Sequence, residues 1–337
     1  MKKKFRTILQ YLLFLGVGIF FAWLSLKNLD KEKTEQIKQA FRNARYWLAV
    51  PVFFILLSSH AVRALRWRLL MEPMGYRPTR LNSFFAVMIG YLVNMGVPRL
   101  GEIVKCTVLA RYEKIPADKL VGTIILERVI DSLTLLLVFG ITLLIQPHLY
   151  AQIMEAFFKS GEQKEEPAVS TLFITVILIG TLLLLTGLWM LIKKKTLKDL
   201  LAVFKKIWKS VIQGISSIQH LKKRKQFIGY TLLLWVLYLS GGYIGFMAFR
   251  ETEIYGVREA FTILSAGSIG MIASPGGIGA YAYLIEKTMQ LYGLNYTIAL
   301  AFGWILWLAQ TSVILLGGIL SFGVLPYFNK KNKREQG

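Results

Sequence analysis

The chain reads as an all-α, polytopic membrane helix bundle of about six full spans plus two re-entrant helical hairpins in an inverted-repeat arrangement. Three observations predict that class. Hydrophobic residues make up 55% of the 337 positions and charged residues only 18%, with a mean hydropathy of +0.50; soluble domains sit near 45–50% and about 25%. The apolar residues gather in blocks at 8–26, 46–62, 81–97, 120–145, 169–192, 227–249, 259–273 and 297–325, and several reach the roughly 20 residues that ~30 Å of hydrocarbon requires. The short blocks 81–97 and 259–273 each run into a proline–glycine break: "NMGVPRLGEIVK" at 94–105 and "SPGGIG" at 274–279.

The first block follows MKKKFR. Its apolar core of roughly 18 residues exceeds the 7–15 of a signal peptide, and no small-x-small site follows in "WLSLKNLDK", so it reads as a retained helix with a cytoplasmic N-terminus. Segment 27–45 then falls outside, against a small positive excess of its own. Residues 63–80 carry Arg63, Arg66, Arg68, Arg77 and Arg80 against Glu72 and read as a cytoplasmic loop. Segment 147–168, with Glu155, Glu162, Glu165 and Glu166 against Lys159 and Lys164, reads as outside. The basic segment 193–225 and the tail "KKNKREQG" return to the inside. Within 193–225, Leu197, Leu200, Leu201, Phe204, Ile207, Trp208, Val211, Ile212, Ile215 and Ile218 recur at helical spacing between lysines, the pattern of an interfacial helix on an anionic leaflet. The expectation is one integral domain of the cell (inner) membrane: a first half at 1–192, the basic helix 193–225, a second half at 226–325, and a basic tail at 326–337.

Loop charges force the hairpins. An odd number of crossings must join the inside loop 63–80 to the outside loop 147–168, yet blocks 81–97, 99–112 and 120–145 lie between them. Residues 81–112 therefore enter from the cytoplasm, turn at "GVPRLGE" and return. By the same count 259–292 enters from outside and turns at "SPGGIG". Backbone of that kind is tolerated at membrane depth only where protein or water covers it. Aligning Pro98 with Pro275 also aligns Phe84 with Phe261 and Gly90 with Gly267, and inverted repeats set a substrate site at their interface.

Several classes are disfavoured. The single cysteine, Cys106, permits no internal disulfide, and His60, His148 and His220 make no metal spacing. Net charge is +22, but the basic residues flank apolar blocks as the positive-inside rule requires, so no nucleic-acid partner is expected. No P-loop, dinucleotide fingerprint or catalytic triad is visible. No cofactor, no metal and no enzymatic activity are expected.

The candidate site residues are polar groups inside apolar sequence. In the first break, Asn94, Pro98, Arg99, Gly101, Glu102 and Lys105 stand together. Pro98 suits a first helical position, the helix start offers N–H groups to an anion, and Arg99 adds a forked donor for phosphate. Glu102 is in reach of Arg99 or Lys105. In "LERVIDSLTLLL", Glu127 and Asp131 share one helix face beside Arg128, and charges at such depth cost about 2.5–3.5 kcal/mol each unless paired or facing a cavity. An internal ion-pair clamp and a substrate pathway both fit them. Pro275, Gly276, Gly277 and Gly279 repeat the break without an arginine. Glu286, two turns on, reads either as a site residue or as a carboxylate snorkelling beside Lys287.

At these residues the chain resembles the lysylphosphatidylglycerol synthase transmembrane-region family, also called the flippase-like domain family, over about residues 10–325. The motifs are "GVPRLGEIVKCTVLARYEKIP", "ILERVIDSLTLLLVFG" and "SPGGIGAYAYLIE". The resemblance carries the family's Pro-Arg, Gly-Glu and basic positions onto Pro98, Arg99, Gly101, Glu102 and Lys105. It carries Glu-Arg-x-x-Asp onto Glu127, Arg128 and Asp131, and Pro-Gly-Gly-x-Gly onto Pro275, Gly276, Gly277 and Gly279. The chain departs from the family at Tyr281 and Ala282, where a basic–acidic pair is common, and at Trp304 and Trp307, near a frequent arginine. The soluble aminoacyltransferase domain of bifunctional relatives is not seen. The resemblance implies a protein that binds and flips an anionic or polyprenyl-phosphate-type lipid, with membrane lipids as partners and a homo-oligomer or an envelope-synthesis enzyme as further candidates. A membrane transferase acting on a lipid head group, with Glu102, Glu127 and Asp131 as acid/base groups, is the alternative from another class; a structural partner of envelope-lipid synthesis is a third.

Overall fold

The computed structural model describes residues 15–27, 29–147 and 221–335, with side chains through 330. The expected outside loop 147–168, the block 169–192 and the interfacial helix of 193–225 lie outside the described residues, apart from 147 and 221–225. Residues Met1–Thr142 with His220–Gly337 form one compact unit, and Leu143–Gln219 a second.

Every regular element described in the first unit is helical. In chain order they are α1 (Leu15–Leu26), α2 (Lys31–Asn43), α3 (Ala49–Met71), α4 (Arg80–Gly96), α5 (Leu100–Glu113), α6 (Ala117–Ile145), α7 (Arg224–Phe246), α8 (Val257–Ala273), α9 (Ala280–Leu291) and α10 (Tyr296–Glu335). Four of them, α3, α6, α7 and α10, are long and apolar enough to cross a membrane, and the chain is a multi-pass membrane protein.

Two loop readings are corrected. Segment 27–45 contains α2, which starts because the Asp30 side chain accepts the Lys33 N–H at 2.7 Å; that bond holds the Asp30 carboxyl below its ordinary range. Its partial burial comes through Ala40. Residues 63–71 are not loop but the last turns of α3. Nothing in "RALRWRLLM" breaks a helix, and the chain turns only at Pro73 and at Gly75, whose φ is +84°. Arg63 and Arg66 are therefore buried inside the bundle at 6% and 0% exposure.

Between these spans lie two antiparallel hairpins, α4–α5 and α8–α9. Each first helix has 17 residues, begins 18 residues before its turn proline and ends two before it. At the open end of the first hairpin, Glu113 accepts from the Thr79 N–H and hydroxyl and from the Asn82 amide. At the open end of the second, the Tyr255 hydroxyl donates to the Tyr292 carbonyl, and the Tyr292 hydroxyl to Thr262 Oγ1.

Helix α10 packs on both hairpins. A methyl group on Gly303 would lie 2.5 Å from the Ala282 carbonyl oxygen of α9, and one on Gly318 would lie 2.7 Å from Leu92 Cβ of α4. Small residues allow that approach, as is usual between helices in lipid. The base of the first hairpin meets the far end of α10 through the Asn82–Asn329 amide pair (2.8 and 2.9 Å). The base of the second lies where α10 begins, with Leu294, Ile285 and Met289 in a core shared with Phe246, Phe249 and Phe302. The two hairpins thus run toward each other along α10.

Candidate functional site

The hairpin tips meet. Gly276 approaches Met95, so that a Cβ on Gly276 would stand 3.5 Å from the Met95 Cα. Both tips are built alike, with a proline at the second turn position and a left-handed residue at the third. In the first, the Leu100 N–H donates to the Val97 carbonyl (3.2 Å) and Arg99 has φ +67°; in the second, the Gly277 N–H donates to the Ser274 carbonyl (3.0 Å) and Gly276 has φ +58°. That third position ordinarily takes glycine. Arginine there stands in a conformation costing roughly 1–2 kcal/mol, and such strain collects at functional sites.

Three readings of the first tip change with this geometry. Pro98 lies in the turn rather than at the first helical position, because α5 starts at Leu100 with Arg99 as its cap. The helix start is not a bare row of donors, since Asn94 Oδ1 accepts the Gly101 N–H at 2.8 Å and Val97 accepts that of Leu100. Glu102 pairs with neither Arg99 nor Lys105; its nearest cation is Arg128, at 3.8 Å. Arg99 itself is exposed at the tip.

The charges collect one layer away, where α3, α5 and α6 meet. Arg63 donates to Asp131 (2.7 Å), to Glu127 (3.2 Å) and to the Tyr238 hydroxyl (2.9 Å). Arg66 donates to Asp131 at 2.5 Å, Lys105 to Glu127 at 2.8 Å, and Arg128 to Glu127 at 3.3 Å. The Lys105 ammonium also sits 4.0 Å from the Trp67 ring centroid, a favourable place for a desolvated cation. Sequence reasoning found Lys105, Glu102, Glu127, Arg128 and Asp131 but missed Arg63 and Arg66. Their i, i+3 spacing within an unbroken helical run was the available signal.

Four cations here face three carboxylates, Glu102 included, so the cluster carries one positive charge in excess. Donors also remain free: Arg66 Nε and Nη1, Arg63 Nε and Arg128 Nε are buried without a hydrogen-bond partner among the described residues. Buried unpaired donors are rare and costly. Against the cluster lies a narrow cleft lined by Tyr91, Asn94, Gly101, Glu102, Lys105 and Arg128. The candidate residues Asn94, Gly101, Glu102, Lys105, Glu127, Arg128 and Asp131 are thus brought together.

The second motif occupies other places. Gly277 spends its N–H inside the turn, and Gly279 (φ +70°) closes a three-residue turn in which Ala280 donates to the Ile278 carbonyl at 2.8 Å. Gly279 faces α1, where a methyl group would lie 2.5 Å from the Ala22 nitrogen. Pro275 is buried in the tip. Trp307 donates its indole N–H to the Gly276 carbonyl at 2.9 Å. Tyr281 is buried against Gly267 and takes the Gln310 amide at 2.7 Å. Glu286 is not a snorkelling carboxylate: it is 1% exposed, accepting from Ser25 of α1 (3.1 Å) and pairing Lys287 (3.0 Å). Among the described residues no group of three or more metal-binding side chains occurs.

Long apolar helices, two antiparallel helix pairs and a buried ion cluster define an integral-membrane helix bundle. The chain belongs to the family of the lysylphosphatidylglycerol synthase TM region, whose model matches residues 8–318. It is also similar to a UPF0104 membrane protein of Methanocaldococcus jannaschii, with 26% identity over 129 residues, or 37% of this chain. The chain spans 36% of that relative's length. No solved structure matches it.

Proposed function

We propose that the protein binds an anionic lipid and carries it across the cell membrane, its phosphate engaging the α3–α5–α6 cluster from the cleft beside the first hairpin. The observation that carries this reading is the buried excess of positive charge with free guanidinium donors. The cleft is lined by Arg128, whose Nε is one of those free donors, and by Lys105. An incoming phosphate therefore meets a guanidinium and an ammonium there, and guanidinium–phosphate bonds are among the strongest a side chain makes. In this reading both termini are cytoplasmic. The two hairpins enter the membrane from opposite faces and meet at its middle, where broken helices border substrate sites in transporters. The protein acts without chemical change to the lipid.

The test is vesicles holding the full chain, with short-chain fluorescent phosphatidylglycerol, a polyprenyl phosphate or phosphatidylcholine in one leaflet. Faster leaflet exchange of either anionic lipid than of phosphatidylcholine is expected, with Arg128→Gln abolishing the difference. Arg128 is the half-exposed member of the cluster, so this change leaves the buried pairs of Arg63, Arg66 and Lys105 in place. Equal exchange of all three lipids overturns the reading.

A further inference from the structure

A second cleft, of about 650 Å³, lies where α2, the turn Arg250–Thr252 and the start of α10 come together. That volume is within the ~300–1,000 Å³ of ligand sites. One wall is a face of α2: Gln36, Gln39, Ala40 and Asn43 follow the spacing at which side chains line up on one side of a helix. The opposite wall holds Arg250, Glu251 and Asn295.

The walls are fixed to one another. The Thr297 hydroxyl lies 2.7 Å from Asn295 Oδ1 and 3.3 Å from Gln36 Oε1. Arg45 pairs with Glu253, and the Arg45 N–H donates to the Ala248 carbonyl at 3.0 Å. The cleft is therefore a standing feature of this end of the bundle rather than a gap that α2 closes at will.

Its chemistry differs from that of the ion cluster. Among the described residues, the side chains of Gln39, Asn43, Arg250 and Glu251 have no hydrogen-bond or ion-pair partner. Arg250 and Glu251 balance in charge, so neither a phosphate nor an ammonium is favoured. A side-chain amide presents a donor and an acceptor next to each other, which is what a pair of adjacent hydroxyls requires, and Ala40 and Ile298 supply apolar floor for C–H groups. We infer that this cleft is a binding site for a neutral, hydroxyl-rich group, a glycosyl or polyol unit, either free or carried as a lipid head group. This inference stands independently of anion transport by the first site.

The experiment uses the full chain in nanodiscs, purified without sugar-headed detergent, and native mass spectrometry of the retained lipid. Monoglucosyl diacylglycerol and phosphatidylethanolamine of the same acyl chains are offered together. Preferential retention of the glucosyl lipid is expected, falling about tenfold in the double variant Gln39→Ala, Asn43→Ala, since two lost hydrogen bonds at about 0.5–1.5 kcal/mol each amount to that factor. Both side chains are exposed, so the fold is not at stake. Arg128→Gln should leave retention unchanged. Displacement by excess free methyl glucoside assigns the site to the sugar itself; retention in its presence assigns it to the lipid-borne form. Equal retention of the two lipids, or equal retention by wild type and the double variant, overturns the inference.

Discussion

Gly101 faces Gly90 across the first hairpin so closely that a methyl group on Gly101 would overlap the Gly90 carbonyl oxygen and lie 2.6 Å from the Asn94 side chain. The closeness seats Lys105 and Glu102 beside α6. The contact is with backbone, which cannot swing aside, so Gly101→Ala should push α5 away and destabilise the protein by about 1–3 kcal/mol, the usual cost of overpacking. Gly96→Ala is the control, since nothing stands within 4 Å of a methyl group there. Thermal unfolding in detergent should separate the two variants, and a Gly101→Ala protein that melts like wild type would refute this packing.

Arg99 occupies a turn position at φ +67° where glycine is at ease. Arg99→Gly removes the side-chain strain but loosens the unfolded chain, leaving a net gain of up to about 1 kcal/mol. If the arginine serves the lipid, exchange of anionic lipid should fall while the melting temperature holds or rises. A stability loss would instead show that Arg99 makes a structural contact at the tip. Arg99→Lys, with similar strain and no forked donor, should lose exchange as well.

How much of this was legible from the residues depends on the range of the interaction. The long apolar helices were readable because lipid imposes a length and a composition on a helix, and the two helix pairs because a proline–glycine break interrupts apolar sequence at each. The equivalence of Pro98 and Pro275 was readable too, since a turn with proline second and a left-handed residue third is local chemistry. What escaped was partnership across the fold. Arg63 and Arg66 resemble loop charges until α3 is seen to run to Met71, and only then do they fall opposite Asp131, more than 60 residues away. Glu286 resembles a snorkelling group until α1 places Ser25 against it. Asn94 stood in the first motif, but that it caps Gly101 depends on the angle of the turn, which spacing does not give. The polar cleft of α2 carries no motif at all, since its walls come from three separate segments.

Glu127 has no exposed surface and is in reach of Arg63, Arg66, Lys105 and Arg128. Replacing it by glutamine keeps its shape and leaves several buried cations short of charge, which should destabilise the protein by about 3–5 kcal/mol. Adding Lys105→Met removes one of those cations, so the double variant should recover part of the loss, the signature of direct coupling. Equilibrium unfolding of the wild type and the three variants measures it. Strictly additive effects would mean that the pair seen at 2.8 Å contributes nothing.

Trp307 fastens the second tip through its indole N–H on the Gly276 carbonyl. Trp307→Phe leaves a tip carbonyl without that partner and should cost about 1–3 kcal/mol if the group stays dry. The loss should be smaller if water reaches the tip, as a lipid pathway there requires. Hydrogen–deuterium exchange around 274–280 distinguishes the cases: faster exchange in the variant is expected, and unchanged exchange would show that the tryptophan does not hold the tip.

Sequence alone suggests that alanine is equally harmful at the two adjacent glycines of "SPGGIG", with transport lost and melting unchanged. The geometry separates them. Both have positive φ, +58° at Gly276 and +71° at Gly277, so each alanine carries backbone strain of roughly 1–2 kcal/mol. Their surroundings differ. A methyl group on Gly276 meets Met95 at 3.4 to 3.6 Å, near ordinary contact with the neighbouring tip, whereas one on Gly277 lies 2.6 Å from the Met271 sulfur and 3.2 Å from Tyr281 Cβ. Tyr281 cannot retreat, because its ring already fills the space beside Gly267 and its hydroxyl is held by Gln310. Gly277→Ala should therefore lower thermal stability well beyond the strain alone, and any fall in exchange would accompany the loss of fold. Gly276→Ala should melt close to wild type while the methyl group thickens the junction between the tips, so a drop in lipid exchange there, at normal membrane levels, would locate the pathway where the two hairpins touch. Wild-type exchange by Gly276→Ala would remove that junction from the path and leave the cleft beside Arg128 as its only support.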